Sequence, residues 1–463
     1  MLKLAGKKST INMTEGSLFD KILLFSIPLM LSSFLQLLYN AADIIVIGNY
    51  EGKTALAAVG ATSALINLLI NLFIGLSTGS CVCAANAIGA QDGNRLKRYV
   101  HTSMAIATIG GLAAMLLGVV LARPMLEWMK TPHNVIDLSV LYMRIYFLGM
   151  PANLIFNFAA GLLRASGDTK RPLYILSVSG IINVVLNLFF VVVCHLSVAG
   201  VAIATVISQV VATLCILKHI MTLDSNLKYT IKETRIYRNE LWDIAKIGLP
   251  CGFQGMLFSI SNVMIQSSIN YFGDTVMAGN TAASNIEGFI YAGMNTLYQA
   301  SQTFTSQNLG AGKLKRIKKV LADCLIIVTL IGVFMGLIAI VFRRPLLGLY
   351  ASGDSAVIDA GIPRLYVIAG TYFLCGIMDC ICGVIRGMKY SISTMIIALV
   401  GVCGFRILWL KTVFEANKTV FNVYITYPIS WILTTAAFLV CFFVAYHTTC
   451  KKAKAMGAST DAL

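Results

Sequence analysis

The 463-residue sequence predicts an all-α polytopic membrane protein, with twelve transmembrane helices in two pseudo-symmetric six-helix bundles that form a parallel repeat around a central cleft. Three observations predict it. The chain is 57% hydrophobic and only 12% charged, about half of the roughly 25% charge that coats a soluble domain, and its mean hydropathy is +0.79. Apolar stretches matching the ~20 residues of helix that cross a bilayer recur along its length. The second half of the chain repeats the first.

Taken in order, the spans are expected at about 20–47, 56–84, 100–121, 136–160, 172–194 and 198–217, then 244–269, 276–304, 320–341, 362–385, 391–411 and 422–446. Pro28, Pro151, Pro250 and Pro428 fall within or beside spans, where proline bends a helix. With the N-terminus taken as cytoplasmic, the inner segments hold Lys3, Lys7, Lys8 and Lys21; Arg95, Lys97 and Arg98; Arg164, Lys170 and Arg171. They continue with the cluster from Lys218 to Lys246, the basic run from Lys313 to Lys319, Arg386 and Lys389, and Lys451, Lys452 and Lys454. The outer segments keep a thinner set, such as Lys53, Arg123, Lys130, Arg343, Arg344 and Lys418. That asymmetry follows the positive-inside rule and places both termini in the cytoplasm of a multi-pass cell (inner) membrane protein. The net charge of +16 is therefore a topology signal, and a nucleic-acid partner is not expected. The polar, basic first twenty residues show no cleavable secretion signal. The pairs Cys81/Cys83 and Cys380/Cys382 lack metal-site spacing and read as small packing residues.

The repeat has a fixed offset. Gly89 and Gly310 lie 221 residues apart, and the same shift pairs Tyr50 with Tyr271, Ala57 with Ala278, Ser63 with Ser284 and Ser80 with Ser301. A shift of 222 pairs Pro28 with Pro250, Gly161 with Gly383 and Arg164 with Arg386. Six spans per half make the repeat parallel, as in membrane proteins whose two halves rock about a central site. The expected organisation is a lobe over 1–217, a polar cytoplasmic linker over 218–240 and a second lobe over 241–463.

Asp43 stands inside an apolar run, "YNAADIIVIG". A carboxylate at mid-membrane costs at least about 2.5–3.5 kcal/mol, so it must face protein or water. Gln36, Tyr39 and Asn40 share its helix face. Asn153 and Asn157 on the fourth span, and Asn183 and Asn187 on the fifth, are each four residues apart. Together they predict a polar site for H⁺, or for Na⁺ as a metal at Asp43, although bundle-stabilising hydrogen bonds are the alternative use of the asparagines. In the second half Glu287, Tyr291, Tyr298 and Gln302 line one face of the eighth span, Asn262 and Gln266 the seventh, and Asp379 the tenth. Met256, Phe258 and Met294, with Met264 and Tyr372, offer adaptable apolar contacts for a cationic ligand, or plain packing. Arg406 reads as the one base deep in a span and the candidate structural ion-pair partner of Glu287 or Asp379.

No P-loop, HExxH or nucleophile–base pairing is present, so neither enzyme activity nor a cofactor is expected, and energy is expected to come from an H⁺ or Na⁺ gradient or a partner. "YNAADIIVIGNYEGKTALAAVG", "GLLRASGDTKRP", "NVVLNLFFV" with "VAGVAIATVISQ", "FTSQNLGAGK" and "GVIRGMKYS" together resemble the bacterial multidrug and toxic compound extrusion (MATE) transporters, in family order over nearly the whole chain. The resemblance implies a monomeric exporter of amphipathic or cationic small molecules, coupled to H⁺ or Na⁺ antiport by alternating access. It places Asp43 on the family's first-helix aspartate, Asn183 and Asn187 on the fifth-helix polar pair, and Asn157 on the fourth-helix asparagine. Asn187 stands where some members carry aspartate. Phe258 stands where one branch carries a seventh-helix glutamate. A lipid-linked oligosaccharide or peptidoglycan-precursor flippase of the same superfold is the alternative, and intramembrane acids argue against its anionic cargo. A receptor or membrane-embedded enzyme would gain nothing from the repeat.

Overall fold

A computed structural model describes residues 10–129, 131–351 and 354–455. Lys3, Lys7, Lys8 and Lys130 lie outside the described residues, as does the side chain of Lys53. The described chain is built of helices joined by short turns and one irregular connector, in the order α1 (Leu18–Tyr50), α2 (Gly52–Gly89), α3 (Gly93–Trp128), α4 (His133–Leu148), α5 (Met150–Ala165), α6 (Lys170–Leu188) and α7 (Ser197–Met221). It continues with α8 (Arg238–Asn270), α9 (Asp274–Gly310), α10 (Leu314–Val341), α11 (Arg343–Gly348), α12 (Ser355–Arg364), α13 (Gly370–Gly387), α14 (Ser391–Ala398), α15 (Phe405–Trp409), α16 (Val420–Tyr424) and α17 (Thr426–Ala455). Wide π turns at Phe189–Val193, Leu365–Ala369, Leu399–Gly404 and Leu410–Phe414 continue α6, α12, α14 and α15.

Every expected span is occupied by helix. Among the described residues nine stretches are long and apolar enough to cross a membrane. The pair α4 and α5, bent by 47°, makes a tenth; Pro151 at the start of α5 removes a backbone donor at the bend. The two expected spans that do not qualify are 244–269 and 276–304, covered by α8 and α9. Their polar residues dilute the apolar signal, and these are the helices that carry Asn262, Gln266, Glu287 and Gln302.

The chain divides into two compact units. One is built on Leu31–Gly252, and the other on Asn12–Met30 and the chain from Phe253 onward. Each therefore draws on helices from both sides of the 218–240 connector, because α1 and α8 change unit just beyond Pro28 and Pro250. In the first unit α2, α3, α4, α5 and α7 pack on one another and α6 lies along α7. Phe147, Met150 and Leu154 centre one part of its core, and Tyr99, Leu162 and Ile216 another. The opening half of α8 crosses α2 at two pairs of glycines, Gly75/Gly79 and Gly248/Gly252. A Cβ on Gly75 would sit 2.6 Å from the Gly248 carbonyl, and one on Gly252 2.7 Å from that of Leu72. Small residues four apart permit this backbone approach.

In the second unit α9, α10 and α13 pack on one another, with α17 on α13 and α12 on α9. Phe25 of α1 meets Phe304 of α9 edge to face, with ring centroids 5.5 Å apart. Tyr424, Phe438 and Phe442 anchor the core. The repeat extends to the turns: Gln91 (φ 55°) and Gly312 (φ 70°) are left-handed at one shift, Gly167 (φ 87°) and Lys389 (φ 72°) at the other.

Candidate functional site

In the first unit, Asn183 and Asn187 lie one turn apart on α6, 6% and 0% exposed. The Asn187 amide donates to the Asp43 carboxylate and, at 3.3 Å, to Asn183 Oδ1. Asn183 Nδ2 reaches Thr205 Oγ1 of α7 at 3.4 Å. Asp43 is half-buried, and no base lies within ion-pair distance of it among the described residues. Asn187 Oδ1 is buried with no donor among the described residues. A carboxylate without a counter-ion beside an unsatisfied amide oxygen is an oxygen-rich setting that a proton or a hard cation completes.

Tyr142 and Tyr146 of α4, ring centroids 6.2 Å apart, lie close enough to interact electrostatically with Asp43, and Tyr146 adjoins Gln209 of α7. Sequence reasoning missed Thr205, Gln209 and the two tyrosines. Their signal was the one used for the asparagines: Tyr142/Tyr146 and Thr205/Gln209 are also four residues apart. Tyr39 donates to the Ser177 carbonyl (3.3 Å) and packs directly against Gly180, where any Cβ would run into its ring. Gln36 and Asn40 are exposed and make no side-chain hydrogen bond among the described residues. Asn157 bonds the carbonyl and side chain of Asn153 (2.9 and 3.0 Å), and Ser77 donates to the Asn157 carbonyl (2.9 Å). The structure thus brings Asp43, Asn183 and Asn187 together, and makes Asn153 and Asn157 partners of each other.

In the second unit Glu287 of α9 is clamped by Arg364, at the end of α12, through Nε–Oε1 (2.9 Å) and Nη2–Oε2 (2.6 Å). Arg364 Nη1 also donates to Asn280 (2.7 Å), which bonds Gln266 (3.1 Å), which bonds Asn270 (3.0 Å). Tyr424 and Tyr427 flank the guanidinium at 5.8 and 5.7 Å. This corrects the expected pairing with Arg406. Arg406 instead donates to Ser430 (3.1 Å) and stacks 4.2 Å over Tyr427, with no acid at ion-pair distance among the described residues. The difference arises because the helical run starts at Ser355 and passes through the π turn at Leu365–Ala369 into α13, so Arg364 lies inside a run that the expected span 362–385 only began.

Asp379 of α13 is half-buried and makes no hydrogen bond or ion pair among the described residues. Arg386, the base in its field, is held by Tyr298 (2.5 Å), Gln254 (2.5 Å) and Thr394 (3.1 Å). From Tyr291, which interacts electrostatically with Asp379, the rings of Tyr372, Trp431 and Tyr427 continue a ladder at 6.3, 5.3 and 5.8 Å. Asn262 is exposed, and Met256, Met264 and Phe258 are half-buried. Gln302 and Met294 are buried; the Met294 sulfur fills the space over Gly332 and Gly376, so it is a core side chain rather than a lining one.

Comparison with known proteins adds three findings. A family model described as MatE matches residues 28–189 and 250–409. The probable multidrug resistance proteins YpnP and YoeA of Bacillus subtilis are each 27% identical, covering 84% of this chain and 86% of that protein, and 94% of both, respectively. The structure of an outward-facing multidrug resistance MATE family transporter of the MOP superfamily superposes with a TM-score of 0.88 at 22% identity, covering 97% of this chain and 100% of that one.

Proposed function

The chain belongs to the MATE family, and on that premise we propose that it is a secondary-active exporter of amphipathic or cationic small molecules, driven by H⁺ or Na⁺ moving inward through the Asp43 site by alternating access. The carrying observation is a contrast between two intramembrane acids. Glu287 has a permanent counter-ion in Arg364, whereas Asp43 has, among the described residues, the neutral Asn187 amide alone. An intramembrane carboxylate lacking a fixed base is neutralised by whatever cation exchanges into its site, and that exchange is how a gradient does work. Asn187, Asn183 and Thr205 orient and hydrogen-bond the site, and the orphaned Asn187 oxygen is a further cation ligand.

Cargo is assigned to the second unit's aromatic ladder. Asp379, without a hydrogen-bond or ion-pair partner among the described residues, supplies the charge for a cationic group, and Tyr291 and Tyr372 supply ring faces for cation–π and stacking contacts. The chemistry is binding and release, with no covalent step. The test is efflux of a fluorescent cationic dye from preloaded cells carrying wild type or Asp43→Asn, with the pH and Na⁺ gradients collapsed separately. Efflux by wild type, its loss in a well-expressed variant and arrest by one ionophore support the reading and name the ion. Normal efflux by the variant refutes it.

A further inference from the structure

We propose a second binding site, independent of the transport reading, where the connector meets the start of α3: a seat for the phosphodiester headgroup of an anionic phospholipid. A cavity of about 490 Å³ opens there, lined by Lys97, Arg98, Lys232, Glu233, Arg235 and Tyr237 among others. The connector is fixed in place around it. The Tyr237 amide donates to the buried Thr102 hydroxyl (3.2 Å), and the Tyr229 and Thr234 hydroxyls bond each other (2.8 Å).

The cations outnumber their acids. Glu233 takes Lys97 at 2.6 Å, and Glu240 lies 3.8 Å from Arg98, which leaves Lys232 and Arg235 with no acidic partner among the described residues. Arg98 and Arg235 share one ring, their guanidinium carbons 5.5 and 5.9 Å from the centre of Tyr237. Like charges gathered about one ring repel, and a single anion placed among them relieves the repulsion. The surroundings select a lipid over a free anion. Ile231, Ile236 and Trp242 are 62%, 42% and 61% exposed along the same segment, and the Lys246 ammonium lies 5.5 Å from the Trp242 ring centre. Exposed apolar side chains beside basic ones are the pattern of an interfacial anchor, with tails against the isoleucines and the tryptophan and the phosphate among the cations.

The experiment titrates the purified full chain in detergent with phosphatidylglycerol, phosphatidylcholine or inorganic phosphate and counts bound molecules by native mass spectrometry. Wild type is expected to retain phosphatidylglycerol over phosphatidylcholine. Lys232→Ala/Arg235→Ala should weaken phosphatidylglycerol binding by about thirtyfold, the effect of two interfacial cations, and leave phosphatidylcholine unchanged. Lys232→Gln/Arg235→Gln, which keeps side-chain bulk, should do the same, and Lys451→Ala/Lys452→Ala should not. Equal phosphatidylglycerol binding by wild type and both connector variants overturns the site. Displacement of the lipid by inorganic phosphate at equal concentration overturns the lipid assignment.

Discussion

Asp43 and Glu287 differ by what stands opposite them, and each yields a prediction. Among the described residues Asn187 is the hydrogen-bond donor to the Asp43 carboxylate, and a hydrogen bond to a charged group contributes about 1.5–3 kcal/mol. Asn187→Ala should therefore reduce gradient-driven dye efflux by roughly tenfold to a hundredfold at normal expression, measured as initial efflux rate. Arg364→Met strands a buried carboxylate and should cost about 3–5 kcal/mol, seen as a lower melting midpoint in detergent. Glu287→Leu/Arg364→Met should recover most of that and keep efflux, since the proposal gives Glu287 no contact with cargo; a stable double variant without efflux would return Glu287 to the cargo site. The grouping of Asp43 with Asn183 and Asn187 was legible because helical spacing and the cost of an intramembrane charge are sequence-level facts, whereas Tyr39 on the same expected face bonds Ser177 and Gln36 and Asn40 are exposed. The Glu287 partner was not, because Arg364 looked like a span terminus, and pairing between residues 77 positions apart depends on packing.

Among the elements, the crossing of α2 with the opening of α8 has the least tolerance. Gly75→Ala puts a methyl group against the Gly248 carbonyl and the Gly252 backbone, so α8 must move, at about 1–3 kcal/mol; thermal unfolding against wild type checks it. Gly312 has open space around it, so Gly312→Ala isolates the backbone term at φ 70° and should cost about 1 kcal/mol. The connector adds a pH test. The Lys97 ammonium bonded to Glu233 holds its carboxyl below the usual range. A depressed carboxyl stabilises above its unfolded value and loses that contribution only as pH falls through the folded one. Attachment of the connector should thus persist through the ordinary glutamate range near about 4.3 and loosen only in stronger acid, read by limited proteolysis across 218–240. Here, too, sequence was an uneven guide. The apolar spans declared themselves, while α8 and α9 are helical as expected but carry polar residues such as Asn262, Gln266 and Glu287 that keep them below the apolarity of the other spans.

At the scale of the whole chain, the repeat was legible to the residue. The shift that aligns Gly89 with Gly310 also carries the start of α3 to the start of α10, and the left-handed turn at Gln91 to that at Gly312. What no offset could reveal is the membership of α1 and α8, each divided between units. That division constrains biosynthesis. As the chain leaves the ribosome, the glycine face of α2 waits bare until Gly248 and Gly252 arrive, more than 150 residues later. Phe25 likewise waits for Phe304. A gene cut in the connector would make two polypeptides, neither able to finish its own core, and each half expressed alone should be degraded. Expressed together, the halves should protect each other, because each supplies the strut the other's unit lacks.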